Sequence, residues 1–172
     1  MIVLYIILGF VALVLLVAAL MPGTYAIEKS ITVNSSAQTA YDKVANFNHY
    51  KDWNPWQKME PTSKQTVTGT PGTPGHKYEW DGKKIGMGSL TVKELKAPNS
   101  INIDLQFLKP WKAEAYDNWK FEDAGNNQTK ITWSNGGPLA YPMARLMGPM
   151  INKNLNTQFE EGLRNLKALC EK

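Results

Sequence analysis

The chain has 172 residues, 19 Lys and Arg against 15 Asp and Glu, a formal net charge of +4 and a pI near 9.1. Its basic residues are scattered, with no run of like charges long enough to form a polyanion-binding block, so nothing beyond the pI points to nucleic acid. One cysteine, Cys170, excludes an internal disulfide, and two histidines, His49 and His76, argue against a His-rich metal site.

The chain opens MIVLYIILGFVALVLLVAALM. From Ile2 to Met21 there are 20 residues without charge, a helix of about 30 Å, which matches the hydrocarbon thickness of a bilayer. A cleaved secretory signal would need a basic n-region, a shorter apolar core of roughly 7–15 residues and a small-x-small site. No Lys or Arg precedes this core, and it is longer than that. These flanks favour an uncleaved transmembrane anchor over residues 1–23, ended by Pro22-Gly23. Lys29 and Lys43 then lean the following domain, residues 24–172, toward the cytoplasmic side.

Within that domain, Ile27, Lys29, Ile31 and Val33 alternate with Glu28, Ser30 and Thr32 as a first strand. Asn34-Ser35-Ser36 offers N-cap chemistry for a helix beginning AQTAYDKVANF. A second short helix over Asn48–Trp53 ends before Pro55, because the residue preceding proline avoids the α region. Short alternating runs follow, punctuated by Gly, Pro and Asn: Lys64–Thr68, His76–Trp80, GMGSLTVKEL, SINIDLQFL, AEAYDNWKFE and TKITW. Asp81-Gly82 and Ala97-Pro98-Asn99 mark turns between them. From Tyr141 to Glu171 the apolar residues return at spacings of three and four, the pattern of one long helix. Gly148-Pro149 should kink its start or break it into a separate turn. The fold class is therefore α+β: a strand, two short helices, six more antiparallel strands and a long C-terminal helix, preceded by one transmembrane helix.

This order resembles the START and birch-pollen-allergen-like superfamily, SRPBCC, and within it the bacterial polyketide cyclase/dehydrase group. The resemblance rests on SITVNSSAQTAYDKVANFNHYKDWNPW, YEWDGKKIGMGSLTV, WKFEDAGNNQTKITW and FEEGLRNLKAL, and spans nearly all of residues 25–171. It implies a helix-grip fold, in which a curved seven-stranded antiparallel sheet holds the C-terminal helix. It also implies a cavity between the two that takes an apolar ligand in relatives. Fold alone does not assign an activity.

The candidate lining residues are Tyr78, Trp80, Phe107, Trp119 and Trp133 from the strands, with Met143, Met147, Ile151, Leu155 and Gln158 from the long helix. Aromatics supply flat contact area and methionines adapt to varied shapes, though the same residues could form a solid core. In DWNPWQKMEP, Trp53 is expected to seal the short helices against the sheet, with Trp56 nearer the cavity rim. Asp117 falls on the apolar face of its strand, and His76 shares a face with Tyr78 and Trp80, which makes them candidate acid–base groups. The reading preferred for both is a strand-end position that reaches water. The glycine-rich stretches fit no phosphate-binding motif, and no GxSxG, HExxH or CxxC pattern occurs, so neither cofactor nor metal is expected. The leading functional expectation is a membrane-anchored domain binding a hydrophobic small molecule or lipid. The alternatives are a cyclase- or dehydratase-type enzyme on an apolar substrate and a protein-interaction module.

Overall fold

A computed structural model describes all of residues 1–172. Helix α1, Ile2–Leu20, exposes apolar side chains on nearly every side. Its length and composition are those of a membrane anchor and of a signal sequence alike. Strand β1, Thr24–Val33, leads to α2, Ala37–Ala45, whose Ser36 N-cap accepts a hydrogen bond from the Thr39 amide at 3.2 Å. The second expected helix resolves into a 3₁₀ turn, Phe47–His49, and a single α-turn, α3, Tyr50–Trp53. A further one-turn helix, α4, Trp56–Met59, follows directly. Asn54 starts it by accepting the Trp56 amide on its side chain at 2.9 Å, with Pro55 between them in the position proline favours.

The remaining strands are β2, Lys64–Thr68; β3, Lys77–Asp81; β4, Met87–Lys96; β5, Ser100–Lys109; β6, Ala113–Gly125; and β7, Gln128–Pro138. They form one antiparallel sheet in the order β1-β7-β6-β5-β4-β3-β2. Register shifts interrupt β4 after Met87 and Val92 and β6 after Asp123, and bulges of this kind bend and twist a sheet. The last helix, α5, runs unbroken from Met143 to Cys170. The expected break at Gly148-Pro149 is not there. Pro149 lacks one helical donor, but its ring is exposed, so the helix forfeits a single hydrogen bond and no core packing.

Alternation decides the core. Ile101, Ile103 and Leu105 of β5, Trp119 and Phe121 of β6, and Ile131 and Trp133 of β7 all point to the concave face. They meet Phe159, Leu163 and Leu166 of α5 and Tyr41 and Val44 of α2. Lys29 on β1 pairs with Glu160 at 2.7 Å, and Lys167 donates to the Thr32 carbonyl at 2.6 Å. These contacts, which advance together along both elements, lay α5 parallel to β1. The start of α5 therefore sits at the end of the sheet where α1 enters.

Candidate functional site: a cavity between the sheet and the last helix

The sheet and α5 do not close completely. Between them, capped by α3 and α4, lies a cavity of about 130 Å³, on the order of the ~150 Å³ apolar cavity known to take up a benzene-sized guest. Eleven of its 16 lining residues are hydrophobic, which makes an apolar occupant the best match. Tyr50 and Trp56 close it from the helix side. Tyr78, Trp80, Leu90, Leu105 and Phe107 form the sheet wall, Ile85 comes from the β3–β4 loop, and Leu155 and Phe159 come from α5.

The polar groups gather at one end. Asp117 and Asn135 are direct cross-strand partners in the β6–β7 register, with Trp119 opposite Trp133 as the next pair on the same face. The Asp117 carboxyl accepts the Trp119 indole N–H at 2.9 Å on Oδ1. Oδ2 accepts the Trp133 indole at 2.9 Å and the Asn135 amide at 3.2 Å. Tyr25 donates to Asn135 Oδ1 at 2.9 Å and completes the chain. Burial pushes the Asp117 carboxyl up to about 6, and the three donors only partly oppose it. Burial likewise raises the Tyr25 and Tyr78 phenols to about 12 and Tyr50 well above its ordinary value, so all three remain neutral near pH 7.

The rim is held by Glu60, at the end of α4. Its carboxylate accepts the amides of Lys83, Lys84 and Ile85 at 2.9, 2.8 and 3.1 Å, and these bonds hold its carboxyl below the ordinary range. The Trp80 indole donates to the Ile85 carbonyl at 3.3 Å, and Gln65 bonds to Gln57 across the mouth. The β3–β4 loop is thus fixed by one carboxylate from across the opening.

Of the residues singled out from sequence, Trp56, Tyr78, Trp80, Phe107, Leu155 and Asp117 meet at this cavity. Trp53, Trp119 and Trp133 lie behind it in the core, with Trp53 edge-on to both others at 5.4 and 5.8 Å and Trp133 stacked on Phe159. Met147, Ile151 and Gln158 are half-buried on α5 away from the lining, and Met143 is exposed at the start of the helix. The expectation that Asp117 and His76 reach water is corrected, since both are buried. Asp117 sits mid-strand under two indoles. His76 stacks on Phe47, accepts the Phe47 amide on Nε2 at 3.0 Å and turns Nδ1 to the Thr68 carbonyl at 3.0 Å. Both ring nitrogens are thereby engaged by backbone, and Asp117 takes its partners from Trp119, Trp133 and Asn135 instead. Sequence reasoning passed over Tyr25, Asn54 and Asn135. Asn135 lies two residues beyond Trp133 on the same strand face, so alternation carried the signal.

Comparisons with known proteins agree with the fold. Residues 24–171 match the model of the family described as polyketide cyclase / dehydrase and lipid transport. Among solved structures, a protein from Chromobacterium violaceum is 16% identical with a TM-score of 0.62, covering 88% of this chain and 99% of its own. The Aha1 dimer of Colwellia psychrerythraea gives 17% identity and a TM-score of 0.60, over 86% of this chain and 96% of its own. CalU16 of Micromonospora echinospora gives 10% and 0.58, over 85% of this chain and 74% of its own. At these identities the likeness is one of fold. No curated protein sequence matches the chain. With the family model covering all but the first 23 residues and the last one, the chain belongs to the polyketide cyclase/dehydrase and lipid transport family, a family of hydrophobic ligand-binding and cyclase-type domains.

Proposed function

We propose that residues 24–172 bind a hydrophobic small molecule or lipid in the cavity between sheet and α5, and that residues 1–23 hold this domain at a membrane, on the cytoplasmic side that Lys29 and Lys43 favour. The observation that carries the reading is the apolar lining closed at one end by the Asp117–Asn135–Tyr25 group. A ligand suited to it is mainly apolar, with one hydroxyl or amine that reaches the buried carboxyl. The same carboxyl, titrating near neutrality beside the cavity, supports a cyclase-type reaction as a second reading.

The test is saturable uptake of hydrophobic probes, from a benzene-sized aromatic to a fluorescent acyl chain, by the purified full chain, with two tryptophan variants. Trp56→Ala opens the lining and should weaken uptake about tenfold or more, equivalent to ~1.4 kcal/mol. Trp53→Ala empties a fully buried site and should lower stability by about 3–5 kcal/mol. Wild-type protein that takes up no probe refutes the reading, and the reverse pattern in the two variants refutes these roles for the indoles.

A further inference from the structure

Every strand end can be placed on one side of the sheet or the other from the register. Thr24 pairs with Pro138, Tyr116 with Gly136, Phe107 with Ala113, Met87 with Lys109, and Lys64 with Asp81. The start of β1, where α1 joins, therefore shares one end of the domain with the β3–β4 loop, the β5–β6 hairpin tip and the β7–α5 corner.

Exposed apolar side chains are distributed unevenly between the two ends. Beyond residues 1–20, the large exposed hydrophobics are Met59, Leu108, Trp111, Tyr116, Tyr141, Met143 and Met150. All of them lie toward the α1 end. Trp111, 69% exposed, stands at the tip of the β5–β6 hairpin in the run Lys109-Pro110-Trp111-Lys112. Met143 is 61% exposed at the first turn of α5. An indole between two lysines suits the bilayer interface, where the ring lies at headgroup depth and the ammonium groups meet phosphate.

Charge and depth point the same way. Lys64, Lys83, Lys84, Lys109, Lys112 and Arg145 gather at this end, and none of them is in an ion pair. Tyr141 donates to the Leu15 carbonyl at 3.0 Å, and Arg145 lies over the Tyr141 ring at 5.5 Å. Leu15 is five residues from the end of α1, so the β7–α5 corner reaches roughly 7 Å alongside that helix. That is the depth at which interfacial helices lie.

From these observations we infer that the α1 end of the domain is a membrane-docking face. Trp111 and the start of α5 enter the interface of an anionic bilayer, and the unpaired lysines bind its headgroups. The inference rests on the reading of α1 as an anchor. Tyr25, Gln65, Ile85 and Phe107, all near this end of the sheet, also line the cavity. Docking therefore turns the cavity toward the lipid.

The test uses the full chain with Cys170→Ala, so that a single introduced cysteine carries an environment-sensitive dye. Ala113→Cys reports the hairpin tip, Thr70→Cys the opposite end of the sheet, and Leu8→Cys the middle of α1. The protein is reconstituted in vesicles of equal parts phosphatidylcholine and phosphatidylglycerol, with brominated acyl chains as quencher. Quenching at 113 should exceed that at 70 several-fold and should fall when Trp111→Ala is added or when phosphatidylglycerol is omitted. Equal, weak quenching at 113 and 70 with strong quenching at 8 overturns docking while leaving the anchor in place. Weak quenching at 8 overturns the anchor, and docking with it. Neither outcome bears on acyl-probe uptake, which is measured separately.

Discussion

Asp117 lies under opposing influences. Two indole N–H groups and the Asn135 amide favour its carboxylate, while burial beneath Trp119 and Trp133 favours the neutral acid and prevails, raising the carboxyl to about 6. The consequence for stability has a definite sign. A folded value above the unfolded one means that the native state holds the extra proton between about pH 4 and 6. The Asp117 contribution is therefore fully present below pH 4 and is lost as pH rises through 6. A rise from 3.8 to about 6 corresponds to a loss on the order of 3 kcal/mol. Glu60, Glu94, Glu160 and Glu171 are shifted downward and act in the opposite sense, so the effect must be isolated by difference. In urea unfolding, wild type should lose its margin over Asp117→Asn between pH 4 and 7. The near-UV signal of the tryptophans should move with a midpoint near 6 in wild type only. A difference that stays flat across this range would sink the account. The face of Asp117 was readable from the alternation Ala115, Asp117, Trp119, Phe121. Its burial was not, because it depends on the cross-strand pairing of Trp119 with Trp133, and a single strand carries no record of its partner's register. His76 is similar: Phe47, its covering ring and amide donor, lies 29 residues away.

At the scale of elements, α5 depends on what it lacks. Gly162 faces the sheet, and a Cβ there would fall 2.8 Å from Trp133 Cζ3 and 3.2 Å from Pro55 Cδ. The missing side chain lets α5 approach closely enough for Phe159 to stack on Trp133 at 3.8 Å and for Pro55 to cap the contact. Alanine would gain about 1 kcal/mol of helix propensity at this position but would force an aromatic ring and a proline aside, costing roughly 1–3 kcal/mol. Gly162→Ala should therefore lower stability. At Gly148 a Cβ would meet only the Leu139 Cδ1 methyl, at 3.2 Å, and that side chain can yield. Gly148→Ala should be neutral or stabilising by up to ~1 kcal/mol. Denaturant midpoints of the two variants decide the matter, and a stabilised Gly162→Ala protein would overturn the close-packing account. The long apolar period made α5 itself legible, as two-residue alternation did the strands. Helix α4 was missed although its signal was present in Asn54-Pro55, since one-turn helices carry too few residues for a period and depend on a cap.

For the whole molecule, α1 and the sheet domain are nearly separate bodies. The chain order of strand, short helices, meander and long helix was readable because the strands and the long helix had strong periods and the connections were short, and the helix-grip arrangement followed from the resemblance of that order and its motifs to the family. The size of the cavity was not readable, since apolar residues that fill a core and those that line a space look alike in sequence. The extent of contact between α1 and the domain was equally hidden. Val14 and Ala18 turn toward α5, and the Tyr141 hydroxyl reaches Leu15, but the core cluster contains no residue of α1. The hydrogen bond is worth about 0.5–1.5 kcal/mol, and the 149 residues from Thr24 onward are sufficient for a core of their own. Residues 24–172 alone should therefore unfold in one cooperative transition. Their melting temperature should lie within roughly 6 °C of the full chain in detergent, the shift expected for up to about 1.5 kcal/mol in a domain of this size. Fluorescence-detected melting of both forms is a direct check. A fragment that binds hydrophobic dye strongly and melts without a cooperative transition would mean that α1 belongs to the folding unit rather than standing apart from it.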